Sequence, residues 1–159
     1  MCQNYSLYSQ IQTQLITWAI LIVGWFVVHH LTSQREQRKE ARERLDQFII
    51  ALREIEVRAV EFHQSKTYEA DLARTLLFDI QRIFVRLKRH PFGSFVITPN
   101  LPKDIRKAIT LRNFDFSKFT RQSPNSEILG DIANAIDKLE DQLEKEYERI
   151  YLGRIFRTH

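Results

Sequence analysis

Histidines stand at positions 29, 30, 63, 90 and 159, and they are the side chains best suited to act as bases or metal ligands near neutral pH. None lies in an H-E-x-x-H or H-x-E setting, and they are scattered along the chain. His29 and His30 read as interfacial residues, and His63, near the end of a helical stripe, as packed or exposed rather than catalytic. There is no G-x-S-x-G, and the single cysteine, Cys2, has no base beside it. One cysteine also excludes a disulfide framework or a cysteine-rich zinc site. The chain is therefore expected to be a non-enzyme with no cofactor and no metal.

Chemistry of another kind is suggested by the charges. The formal net charge is +4, but it is unevenly distributed. Residues 45–73 carry a net −3, residues 74–121 a net +8, and residues 127–149 a net −5. The basic middle holds Arg82, Arg86, Lys88, Arg89, Lys103, Arg106, Lys107, Arg112 and Lys118, interleaved with Phe92, Phe95, Phe114, Phe116 and Phe119. Cations that meet phosphates and flat rings on which bases stack are what a nucleotide or single-stranded nucleic acid requires. The nine cations named, with Phe114 and Phe116, are the candidate ligand-binding residues. In the alternative reading the phenylalanines are core, and the cations are solvated or paired with the acidic last helix. Docking on a membrane surface is a third reading. No Walker loop, G-x-G-x-x-G or RNA-recognition signature is present, and no double-stranded DNA partner is expected.

These side chains need a helical scaffold. No proline or glycine occurs between Trp25 and His90. Leu45, Phe48, Leu52, Ile55, Ala59 and Phe62 alternate spacings of three and four, a heptad-like seam. Leu45, Phe48, Leu52, Ile55 and Phe62 are the candidate oligomerisation residues. A break near residues 64–67 and a second helix over about 68–88 follow, its stripe running through Ala70, Ala73, Leu77, Ile80, Phe84 and Leu87. The short connection makes the two helices antiparallel neighbours. His90-Pro91-Phe92-Gly93 ends the second helix. A short helix is expected over about 103–112 and a loop or short edge strand over 113–119. A last long helix, capped by Ser123 with Pro124 in its first turn, runs to about Tyr151. The predicted class is all-α: an N-terminal single transmembrane helix continuing into a cytoplasmic bundle of three long helices, with a short helix and an irregular insert.

The membrane prediction rests on an uncharged stretch. No Asp, Glu, Lys or Arg precedes Arg35. Residues 11–31 span about 31 Å as a helix, close to the hydrocarbon thickness of a bilayer. Leu15, Trp18, Trp25 and Val28 are its candidate membrane-facing residues. Apolar character all round distinguishes it from a core helix, which is apolar along one stripe. The absence of a basic start and of a small-x-small site reads as a retained anchor rather than a cleaved signal. Arg35, Arg38, Lys39, Arg42 and Arg44 follow the span, and basic flanks stay inside. The expected order is an extracytoplasmic segment 1–10, a transmembrane helix 11–31, a charged collar 32–44 and a cytoplasmic helical domain 45–159, in the inner membrane with the N-terminus out.

An uncharged span, the collar REQRKEARER at 35–44 and a small helical domain with a basic middle resemble, as a layout of the whole chain, small membrane effectors of bacterial antiviral defence. Some of those are oligomers gated by cyclic oligonucleotides. No motif carries the resemblance, so it transfers no residues. It implies a membrane-anchored homo-oligomeric effector or sensor whose cytoplasmic domain binds an anionic ligand such as a cyclic oligonucleotide. The alternative is a non-catalytic membrane-tethered adaptor, or a subunit of a larger membrane complex that binds protein partners.

Overall fold

A computed structural model describes residues 3–153, with side chains from Gln14 onward. The described residues are helical and contain no strand: α1 (Gln3–Gln64), α2 (Ala70–Leu87), α3 (Leu101–Thr110) and α4 (Glu127–Tyr147), with single 3-10 turns at Phe92–Ser94 and Phe116–Lys118. The chain divides into two compact units, Met1–Glu40 and Ala41–His159.

The first unit is the N-terminal part of α1. It is long and apolar enough to cross a membrane. Leu15, Trp18, Trp25 and Val28 are all exposed, at 62–66 %. Helix extends back to Gln3, so the backbone of residues 3–10 is continuous with the rest of α1. The Trp25 and His29 rings stack at 5.3 Å, and Gln34 hydrogen-bonds the His30 ring at 2.8 Å, both one helical turn apart.

The second unit holds the core. Ala41, Leu45, Phe48, Leu52, Ile55, Ala59 and Phe62 of α1 are all buried. This corrects the predicted oligomerisation seam. Leu45, Phe48, Leu52, Ile55 and Phe62 pack inside their own chain and present nothing to a second copy. The heptad-like spacing marks the apolar face of an amphipathic helix, whatever covers that face. Burial of each such side chain contributes about 1.5–3 kcal/mol. On α2 the buried line is Ala73, Leu76, Ile80, Ile83 and Leu87, while Leu77 is 40 % exposed; Leu76 and Ile83 take the inward places expected of Leu77 and Phe84. Ile105 and Ile109 of α3 and Leu129, Ile132, Ile136, Leu139, Leu143 and Tyr147 of α4 complete the interior.

Ion pairs and loop hydrogen bonds set the order of helices around that core. Arg42 meets Glu144 at 2.6 Å, and Arg53 meets Asp137 at 2.8 Å and Glu140 at 2.6 Å, which ties α1 to α4. Arg58 pairs with Asp79, which ties α1 to α2. Hydrogen bonds donated to Glu144 raise the pKa of Arg42, and those donated to Glu56 and then Asp137 raise that of Arg53. The extended segment after Phe95 lies on α4: the Val96 N–H donates to Glu146 at 2.8 Å, and the Thr98 N–H to Gln142 at 3.1 Å. Side chains of α4 thus satisfy backbone groups that a strand partner would otherwise take.

Two boundaries differ from expectation. The last α-helix begins at Glu127, and its cap is Ser126, which accepts from the Leu129 N–H; Ser123 and Pro124 belong to the preceding turn. At its end, Tyr147 passes into one wider π turn over Glu148–Leu152. Ser65 closes α1 by donating through Oγ to the Phe62 carbonyl at 2.8 Å.

Candidate functional site

The basic middle divides in space. Arg82 and Arg86 on α2, and Arg89 just after it, are exposed and make no ion pair among the described residues. Arg86 and Arg89 line a groove of about 200 Å³ with Arg44, Gln47, Phe48, His90 and Phe92. Arg44 is held there by donating through Nη1 to the His90 carbonyl at 3.2 Å. The wall is the Phe48–Phe92 pair, with ring centroids 4.8 Å apart, both rings being largely buried. No carboxylate lines this groove. Arg86 and Arg89 without an ion pair among the described residues, with Arg44 beside them, suit a phosphate or a carboxylate.

A neighbouring groove holds Arg82 and Arg86 with Glu54, Arg58 and Asp79, and there the arginines share the space with acids. The cations of α3 lie elsewhere. Lys107 and Arg112 line an α3–α4 groove together with Asp104, Asp131 and Lys138, a site of mixed charge. Arg112 is paired with Glu127 at 3.3 Å and Asp131 at 3.4 Å, as the alternative reading of pairing with the last helix anticipates. Lys103, Arg106 and Lys118 are exposed and line none of the grooves described here, and Lys88 is exposed at the end of α2.

The rings separate in the same way. Phe92 and Phe95 are core. Phe114 packs on Phe62 at 4.9 Å, and Phe119 on Phe62 at 5.4 Å, so neither is a free stacking platform. Phe116 alone of this group stands out, 77 % exposed, with its ring edge-on to Tyr68 at 5.6 Å. The eleven candidate ligand residues therefore do not form one site; Arg86 and Arg89 form one with partners that sequence reading had assigned to the collar and to a helix end. Arithmetic could have found them. In an antiparallel hairpin with its break at 64–67, Arg44 lies about as far before the turn as His90 lies after it.

A buried polar cluster also went unrecognised in the sequence. His63 is fully buried, with Nε2 3.0 Å from the Ile109 carbonyl and Nδ1 3.2 Å from the Asn113 amide. Asn113 holds Thr120 in both directions, donating to its carbonyl at 3.0 Å and accepting from its N–H at 2.9 Å. The Gln122 N–H donates to the His63 carbonyl at 2.7 Å. With Nε2 donating and Nδ1 accepting, a neutral imidazole satisfies both contacts. Burial lowers the His63 pKa, and the Ile109 bond opposes that only in part. This cluster latches loop 113–122 to the end of α1. Among the described residues no three His, Cys, Asp or Glu side chains gather as metal ligands. Cys2 and His159 lie outside the described residues.

Comparison with protein-family models, with characterised proteins and with solved structures found no match.

Proposed function

We propose that the protein is a membrane-anchored effector or sensor. The uncharged part of α1 crosses the inner membrane with its N-terminus out, and residues from 41 onward form a cytoplasmic helical bundle that assembles with further copies. The bundle binds a phosphate-bearing ligand, of which a cyclic oligonucleotide is one class, in the groove of Arg44, Arg86 and Arg89. The layout resembles that of antiviral membrane effectors and directs the choice of ligand class. The observation that carries the reading is the groove itself: Arg86 and Arg89, free of ion pairs among the described residues, line it together with Arg44.

The route from ligand to membrane is α1, a helix that contains both the apolar span and Arg44. A phosphate bridging Arg44 on α1 to Arg86 on α2 and Arg89 just after it would draw the end of α2 against α1. The free energy available is the ligand's differential affinity for the two arrangements. The test is binding of labelled cyclic and linear oligonucleotides, and of inorganic polyphosphate, to the full chain in nanodiscs. Binding that is lost in an Arg86→Gln/Arg89→Gln chain supports the reading. Binding that persists in that chain, or no binding of any of these anions by the parent, refutes it.

A tethered protein-binding adaptor is the second reading. It is favoured by the exposed Val96, Leu111 and Phe116, at 68 %, 70 % and 77 %. Exchanging the N-terminal span for an unrelated one leaves an adaptor's activity intact and impairs an effector's.

A further inference from the structure

With the Leu45–Phe62 seam buried, any contact between copies must use another face. Two exposed stripes have the properties of its two halves. On α1 the outward line is Glu43, Gln47, Ile50, Glu54, Val57 and Glu61, again at spacings of four and three. On α2 it is Arg74, Phe78, Arg82 and Val85, continued by Arg89 just past the helix end. Each stripe displays two apolar side chains: Ile50 at 60 % and Val57 at 65 % exposure, and Phe78 at 65 % and Val85 at 46 %. Both pairs are seven residues apart, which places them on one side of their helix and about 10.5 Å apart along it. The charges between them are acidic on α1 and basic on α2.

The levels also match. Arg58 pairs with Asp79 and Arg44 reaches the His90 carbonyl, so the two antiparallel helices are in known register. In that register Val57 is about level with Phe78, Ile50 with Val85, Glu54 with Arg82 and Glu61 with Arg74. Copies related by rotation about an axis along these helices, without translation, keep level residues level. The α1 stripe of one copy laid on the α2 stripe of the next therefore sets apolar against apolar and acid against base at once. The bed for it is the shallow groove along α2 lined by Phe78, Arg82, Val85 and Arg89. Existing pairs do not obstruct this: Glu54–Arg58 at 3.6 Å and Arg74–Asp71 at 3.5 Å are exposed and weak. An anionic membrane surface would satisfy the basic stripe but leave the acidic, apolar one uncovered. A second copy covers both.

We infer that copies of this chain associate through this face, the Glu54/Val57/Glu61 stripe of α1 packing on the Arg74/Phe78/Arg82 stripe of α2 in the neighbouring copy. Glu54 and Arg82 also line one groove within the chain, so the two stripes lie side by side and the faces of two copies can meet reciprocally. This deepens the oligomeric part of the proposed function and rests on it for the parallel arrangement. Arg86 and Arg89 line both this groove and the anion groove, so ligand and neighbour meet at one edge.

The test uses the full chain in its membrane, with Cys2→Ser as background and two differently tagged copies, one Val57→Cys and the other Phe78→Cys. A short bis-maleimide is expected to join the two when they are co-expressed and to join neither to itself. Glu61→Arg should cut the joined product at least about tenfold, through like charges set against Arg74, and Arg74→Glu on the other copy should restore it. All four positions are exposed, so folding is not at stake. No joined product, or product from either copy alone, overturns the inference; product insensitive to Glu61→Arg overturns the register. Oligonucleotide binding is measured on the same chains. A chain that binds but does not cross-link loses only this contact, and a chain that cross-links but does not bind loses only the anion reading.

Discussion

Replacing Phe62 by alanine separates a core residue from an interface residue. Phe62 is fully buried, and its ring meets four others: His63 at 5.1 Å, Tyr68 at 5.6 Å, Phe114 at 4.9 Å and Phe119 at 5.4 Å. Truncating a buried phenylalanine costs about 3–5 kcal/mol through lost transfer energy and the cavity left behind. Tilted and edge-on ring pairs add about 0.5–1.5 kcal/mol each beyond area, so four of them place this site near the top of that range. A unit of this size has a total stability of about 6–15 kcal/mol, so a third or more would go. At about 4 °C per kcal/mol the midpoint should fall by about 15–20 °C. The assay is thermal unfolding of the full chain in nanodiscs, followed by near-ultraviolet circular dichroism across a wide range of protein loading. Because the contacts lie within one chain, the loss should not depend on loading. Val57→Ala, at an exposed position, should change the midpoint of the isolated chain by no more than about 0.5 kcal/mol equivalent. A Phe62→Ala loss below about 1 kcal/mol, or one that vanishes as chains are crowded together, would refute the placement of this residue in the core.

Other expectations follow from the same geometry. If Arg44, Arg86 and Arg89 hold phosphates, oligonucleotide affinity should fall with salt at a log–log slope of about −2, and Arg86→Gln/Arg89→Gln should flatten it to about −0.7; an equal flattening by Lys103→Gln/Lys107→Gln would place the site on α3 instead. The lowered pKa of His63 means that the unfolded chain takes up a proton first as pH falls below the ordinary value of about 6.5. Stability should therefore be level above about pH 7 and decline toward pH 5 at up to about 1.4 kcal/mol per unit, a decline that His63→Phe should abolish in urea titrations. Glu146, whose pKa is lowered by hydrogen bonds from Arg149 and Val96, acts only at lower pH, below its ordinary 4.5. Ser126→Ala should cost about 1 kcal/mol in the same titrations by removing the α4 cap, whereas Ser123→Ala should cost nothing measurable.

Much of this protein is legible in its residues. Periodicity located three of the four helices to within a few residues, because an amphipathic helix must repeat its apolar side chains every three or four positions wherever it packs. The same periodicity misled over Leu45, Phe48, Leu52, Ile55 and Phe62. A stripe reports that a face will be covered, not by what. The charge pattern singled out a basic middle, but one net charge cannot tell Arg112, held by two carboxylates of α4, from Arg86, which has none. The stripe allowed His63 to be packed, but its pairing with Asn113 gave no sign, since the two stand 50 positions apart and carry no motif.

What the sequence alone determined is local: helix or turn, which faces are apolar, and an N-terminal stretch without charge that is long enough to cross a bilayer. These follow from steric preference, side-chain polarity and chain length, all of which act over a few residues. Tertiary structure decided how the faces were shared out. Packing α2 antiparallel on α1 carried Arg44 to Arg86 and Arg89, turned the predicted seam inward, and left Ile50, Val57, Phe78 and Val85 outside. Ion pairs and burial depend on distances between elements far apart in the chain, and those distances exist only once the core has closed.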